Sequence, residues 1–355
     1  MDKRWKQLGE ILVNYSAAVQ PGERVLIAMV EPETLPLVHG VYEAAVKAGA
    51  YAQVQFLSEV LRHKLLKYGS ADQIAWVPEI EAYGMEWADV YFGLRGAHNL
   101  YEHADIPAGV LSANQAAMGK ISTLRWQKTR WCVTRVPNAS LAQEAGTDLE
   151  TMMDMFFAAC LIDWEAASQE WHAMASRLNG SDQVRIVGRD TDLRFSVAGR
   201  EWIALDGKLN MPDGEVLTAP VNSTLNGHIS FEFPGVLGGR LMHDIRLTWE
   251  DGELIEASAS TNEDYLQRIV GTDSGASRLG EFAIGTNYHI DRFSKDILLD
   301  EKIGGTVHIA LGRAYPECGG VNESAIHWDI VKDLRQEGAV FVDGAVVLER
   351  GKIHL

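Results

Sequence analysis

QVRIVGRDTDLRFSVAGREWIALDG, residues 183–207, is where the chain changes texture. Its short runs VRIVG and DLRFSV alternate apolar and polar residues between Gly and Asp turns, a period of two that predicts antiparallel strands with one face on a core. IRLTWEDG at 245–252 repeats the pattern, and GGTVHIALG at 304–312 and SAIHWDIV at 324–331 return to it. Helices are expected to interrupt this sheet around 262–270 and near 276–282. Upstream the texture is different. Trp5, Leu8, Leu12 and Tyr15 recur at helical spacing, Pro21-Gly22 marks a turn, and the apolar run Val25 to Met29 reads as a strand. A helical stretch over 35–48 stopped by Gly49, a strand over 51–57, further helix and a strand over 88–94 continue the alternation. Strands alternating with helices imply a largely parallel sheet up to about residue 125.

Between these halves, Thr147 and Glu150 have the spacing of a capping box, opening an amphipathic helix through Met152, Phe156 and Phe157 toward Leu178. Its Met and Phe stripe reads as core. Asn179-Gly180-Ser181 ends it. The expectation is therefore an α/β N-terminal domain over 1–125, a helical connection over 126–182 and a β-rich α+β C-terminal domain over 183–355. A length of 355 residues fits two domains better than one.

The apolar share of 46% and charged share of 23% are those of a globular chain. A formal charge of -17 argues against nucleic acid and anionic membrane surfaces as partners. The cysteines, Cys132, Cys160 and Cys318, are too few and too widely spaced for a disulfide framework or a C-x-x-C metal knuckle, which points to a reducing, cytoplasmic setting. The N-terminal stretch mixes polar with apolar residues and reads as neither a signal peptide nor a membrane span. No G-x-G-x-x-G follows a strand, so a dinucleotide site is not expected.

In SAIHWDIV, His327 and Asp329 stand two apart on a strand, so both leave one face while Trp328 leaves the other. An imidazole and a carboxylate placed so can share a cation or simply hydrogen-bond. His308 lies between Val307 and Ile309, opposite whatever face those two bury, and Tyr315, seven residues on, sits in the turn that ends the strand. Glu215 and Glu281 each follow a glycine and precede apolar residues, a poor setting for an unpaired charge. Either could meet an Arg or Lys; together, two Glu, two His and one Asp make up the ligand set of a two-metal hydrolytic centre.

NMPDGEVLTAP, RLGEFAIGTN, DEKIGGTVHIALGRAYP and NESAIHWD, in that order along the chain, resemble the M29 or thermophilic-type metallo-aminopeptidases. That resemblance implies Glu215, Glu281, His308, His327 and Asp329 as ligands of two divalent ions (zinc, cobalt or manganese), and Tyr315 as a catalytic tyrosine. It further implies a metal-binding catalytic C-terminal domain, small peptide substrates and a homodimer. Glu281 is expected to reach both ions and assist proton transfer, with Tyr315 stabilising the tetrahedral oxyanion. Glu301 and Lys302 are expected to form a charge pair at a turn. One departure is the short connection PECGGVNESAI between Tyr315 and His327, longer in some members. The alternative is a mononuclear iron(II), ring-cleaving dioxygenase of the dihydroxypyridine type on the same fold, using His308, His327 and Asp329.

Overall fold

The computed structural model describes residues 2–96, 99 and 101–354. The chain divides into two compact units, each with the architecture its sequence texture implies.

The first unit comprises residues 1–162 and 207–212. Its sheet is parallel throughout, ordered Tyr51–Leu57, Arg24–Val30, Val90–Arg95, Arg130–Arg135 and Asn210–Met211. The expected strands and helices are present: Lys3–Ile11 runs into one turn of π-helix at Leu12–Ser16, and Leu35–Lys47 ends before Gly49, whose φ of +81° only glycine adopts freely. The first two helices cross at glycines, because a Cβ on Gly9 would lie 2.3 Å from the Gly40 carbonyl carbon.

The second unit comprises residues 163–206 and 213–355. It holds an eight-stranded antiparallel sheet, in the order Glu253–Ser258, Arg246–Glu250, Val221–Ser230, Thr191–Ser196, Gln183–Gly188, Ala339–Val342, Ala345–Glu349 and Lys352–Ile353. A second, five-stranded antiparallel sheet runs His327–Asp333, Thr306–Gly312, Leu279–Gly285, Glu215–Thr218 and Ile203–Leu205. Phe282 from this smaller sheet packs edge-on against Phe195 and Trp202, with ring centroids 5.4 and 5.9 Å away, and joins the core.

The first unit is discontinuous in sequence: its sheet takes in Arg130–Arg135 and the two-residue strand Asn210–Met211, which follows the first strands of the other unit along the chain. Two expectations are corrected. The helix expected to run to Leu178 is two helices, Leu149–Cys160 and Trp164–Leu178, because aspartates supply caps in place of Thr147: Asp148 accepts from Thr151 N–H at 2.9 Å and Asp163 from Ala166 N–H at 3.1 Å. The helix expected near 276–282 is absent; Leu279–Gly285 is a strand with every residue buried, whose continuous apolar run gives no alternation to read. The helix expected at 262–270 is found as Glu263–Val270. Among the described residues no helix is long and apolar enough to cross a membrane.

Candidate metal centre

Register decides which side chains meet on the smaller sheet. Ala283 pairs with His308 and Leu217, Glu281 with Ala310, Ala310 with Asp329, Gly312 with His327, and Gly285 with Glu215. Directly paired residues of an antiparallel sheet share a face, as do alternate residues along a strand. Glu215, Glu281, His308, His327 and Asp329 therefore emerge on one face, while Phe282, Ile309 and Trp328 emerge on the other, Trp328 with its indole N–H on the Val236 carbonyl at 3.1 Å.

On the shared face, His308 Nε2 lies 3.3 Å from Glu281 Oε1 and 3.4 Å from Glu215 Oε2. His327 Nε2 lies 3.4 Å from both Glu281 Oε2 and Asp329 Oδ1. The two oxygens of Glu281 thus serve different imidazoles. His327 Nδ1 is 2.7 Å from the Arg313 carbonyl oxygen, a contact that fixes the ring and leaves Nε2 directed into the cluster. Ligand atoms of Glu215, Glu301 and His308 all lie within 4.8 Å of one another, and so do those of Glu281, His327 and Asp329.

The chemistry of this donor set suits divalent ions. Glu215 Oε2 and Asp329 Oδ1 are buried and make no hydrogen bond, each having only an imidazole nitrogen at 3.4 Å, a setting that a divalent cation would satisfy better. Burial opposes a charged His308, yet Glu281 and Glu215 outweigh it and push its pKa up to about 9. Burial likewise opposes charge on His327, and Asp329 and Glu281 still raise it to about 11. Burial would raise Glu281, but hydrogen bonds from the two imidazoles draw it down to about 2. The cluster attracts positive charge strongly enough to hold protons on imidazoles, and a bound metal ion would displace them.

Tyr315 tilts against His327, with ring centroids 4.9 Å apart, beside an apolar group of Leu217, Ala219, Ala283 and Cys318. Burial first, then the charges of Glu281 and Asp329, push its phenol pKa upward, so it remains a hydrogen-bond donor. All six residues singled out from the sequence are thus gathered in one place. What the sequence reading missed is the depth of the Glu301–Lys302 pair. The two do pair in a turn, at 2.7 Å, but Lys302 is fully buried and also contacts Glu215 at 2.6 Å and Asp213 at 3.3 Å. The available signal was a charged pair embedded in ILLDEKIGG, an apolar setting of the kind that drew notice to Glu215.

A family model described as thermophilic metalloprotease (M29) matches residues 1–348. Aminopeptidase 2 of Geobacillus stearothermophilus is 25% identical across 95% of this chain and 94% of its own length. Aminopeptidase T of Thermus thermophilus is 31% identical over 53% of each chain. The solved structure of wild-type AmpT from Thermus thermophilus superposes with a TM-score of 0.88 at 24% identity, covering 99% of both chains. A 2,5-dihydroxypyridine dioxygenase from Pseudomonas putida shares the fold more loosely, at a TM-score of 0.60 and 13% identity over 99% of this chain and 96% of its own. Since the family model and the curated relatives are peptidases, the iron dioxygenase alternative is not favoured.

Proposed function

The chain belongs to the M29 family of thermophilic metalloproteases and is a metal-dependent aminopeptidase, and from that premise we propose that it removes the N-terminal residue of small peptides at a dinuclear centre on the smaller sheet. The observation that carries this reading is the division of Glu281 between two groups of potential ligands: Glu215, Glu301 and His308 on one side, His327 and Asp329 on the other. Charge supports it. With both imidazoles neutral as metal ligands and the carboxylates ionised, Asp213, Glu215, Glu281, Glu301 and Asp329 against Lys302 leave four negative charges, which two divalent ions cancel.

Such ions supply a Lewis acid for the scissile carbonyl and a water acidified toward neutrality. The chain's residues do the rest. Glu281 lies between the two groups and is the carboxylate best placed to accept the proton of the attacking water and return one to the departing amine. The Tyr315 hydroxyl, kept protonated by burial and nearby carboxylates, donates to the oxyanion of the tetrahedral intermediate. Three buried cysteines, none of them disulfide-bonded, suit a reducing cytoplasm. The homodimer remains part of this reading on the strength of the sequence resemblance, and sedimentation equilibrium tests it.

The deciding experiment strips the protein of metal, restores cobalt, manganese or zinc, and compares leucine amide with its N-acetylated counterpart. Release from the free amine alone, abolished by chelator, is the expected result. Equal cleavage of both substrates would refute exopeptidase action, and no cleavage with any of the three metals would refute the hydrolytic reading.

A further inference from the structure

Lys302 is fully enclosed in the cluster, with a side chain 0% exposed. Its ammonium carries three N–H donors, and three carboxylates surround it: Glu215 Oε1 at 2.6 Å, Glu301 Oε1 at 2.7 Å and Asp213 Oδ1 at 3.3 Å. Glu215 accepts a hydrogen bond from it, and Glu301 and Asp213 complete a shell of carboxylate charge around the buried nitrogen. The turn beneath it is pinned as well. Asn287 N–H donates to the Lys302 carbonyl at 3.1 Å, Gly304 N–H to the Asn287 carbonyl at 3.0 Å, and Gly305 N–H to the Gly285 carbonyl at 3.0 Å. That ties Lys302 to the end of the strand that carries Glu281.

This arrangement constrains the ligands. Glu215 and Glu301 each commit one oxygen to the ammonium, which leaves each with one for anything else. For Glu215 the remaining oxygen is Oε2, which makes no hydrogen bond and lies 3.4 Å from His308 Nε2. We propose that Lys302 is a positioning residue that serves as a fixed monovalent counter-cation. It holds Glu215 and Glu301 as single-oxygen ligands beside His308 and thereby makes that half of the centre able to take a divalent ion. The inference rests on the two-ion reading above. Without the ammonium, three closely spaced carboxylates repel one another with no cation to set their spacing. Removing a group that orients metal ligands weakens binding by about 10- to 100-fold, and here the loss falls on one of two ions.

The test counts ions and does not depend on turnover. Metal-stripped wild type, K302M and K302A are titrated with zinc, freed of excess by gel filtration and assayed for bound metal per chain, with and without propylammonium. Wild type is expected to hold two ions. Both variants should keep the first and bind the second about 10- to 100-fold more weakly. Propylammonium should restore the second ion in K302A, where truncation leaves room for it, and not in K302M, where the thioether fills the space. Two ions at wild-type affinity in both variants would overturn the role given to Lys302. So would a second ion lost from K302A and not restored by propylammonium, since that marks general structural damage. Wild type holding fewer than two ions would instead overturn the two-ion reading from which the inference follows.

Discussion

Glu281 and Phe282 are neighbours on one strand with opposite fates, and substituting each separately tests the strand, the register and the site together. Phe282 is 0% exposed and wedged between Phe195 and Trp202. Truncating a buried Phe to Ala removes its transfer free energy and leaves a cavity, at a cost of about 3–5 kcal/mol. Domains commonly have about 5–15 kcal/mol in hand, so Phe282→Ala should remain folded at 25 °C with a much lower urea midpoint. Its kcat at saturating metal should stay near wild type, because the lost ring faces away from the cluster. Glu281→Gln is the converse. It preserves shape but leaves a single carbonyl oxygen where two carboxylate oxygens serve His308 and His327 at 3.3 and 3.4 Å. Loss of a general acid–base group costs about 10²–10⁴ in rate, and kcat should fall by that range while leucine amide is still bound. Urea titration followed by tryptophan fluorescence gives the first quantity and leucine amide turnover the second. If Phe282→Ala cost under about 1 kcal/mol, or lost as much activity as Glu281→Gln, the two residues would not lie on opposite faces and the helical expectation for 276–282 would return.

Tyr315→Phe should bind metal and peptide as wild type does but lose about 10²–10³ in kcat, the usual cost of one oxyanion donor; full activity would remove Tyr315 from the mechanism. Because burial raises the Tyr315 pKa, the neutral phenol is the form the fold favours, so any stability it contributes persists below the ordinary tyrosine pKa of about 10 and is lost above it. A pH–rate profile should accordingly show no alkaline limb that disappears in Tyr315→Phe below about pH 10. Chelator should abolish turnover and added zinc, cobalt or manganese should restore it; activity that survives exhaustive chelation would contradict the ligand assignment. Gly280→Ala should cost about 1–3 kcal/mol or more, read by urea titration, and should weaken metal binding, since its Cβ would lie 2.2 Å from the Arg313 carbonyl oxygen.

Some of this site is written in local pattern and some is not. His327, Trp328 and Asp329 alternate on the strand His327–Asp333 as a period of two requires, and that much follows from three consecutive letters. The parallel sheet of the first unit is legible for the same reason, since its strands and helices have distinct periods. Glu281 was recognisable as a residue in an apolar setting, but its strand is buried along its whole length and carries no alternation. The roles of Asp213, Glu301 and Lys302 depend on a turn pinned by Asn287 and on carboxylates as many as 89 positions away in sequence, as Asp213 is from Lys302. No local spacing encodes that.

The deepest non-local feature is the bulge at Gly280. Leu279 pairs with Leu311, and regular antiparallel pairing would then set Glu281 against Ile309, on the face that packs into the core. The register slips by one between Leu279 and Glu281, so Glu281 pairs with Ala310 and joins the face of His308. Gly280 permits the slip because its backbone lies against the Arg313 carbonyl, where a Cβ has no room. The same Arg313 carbonyl receives His327 Nδ1. One short stretch of backbone therefore brings Glu281 onto the metal-binding face and also aims His327 at it, so the two imidazoles can share a carboxylate only where glycine stands at position 280. A Gly280→Ala variant that kept both ions at wild-type affinity would show that Glu281 reaches this face by some other route.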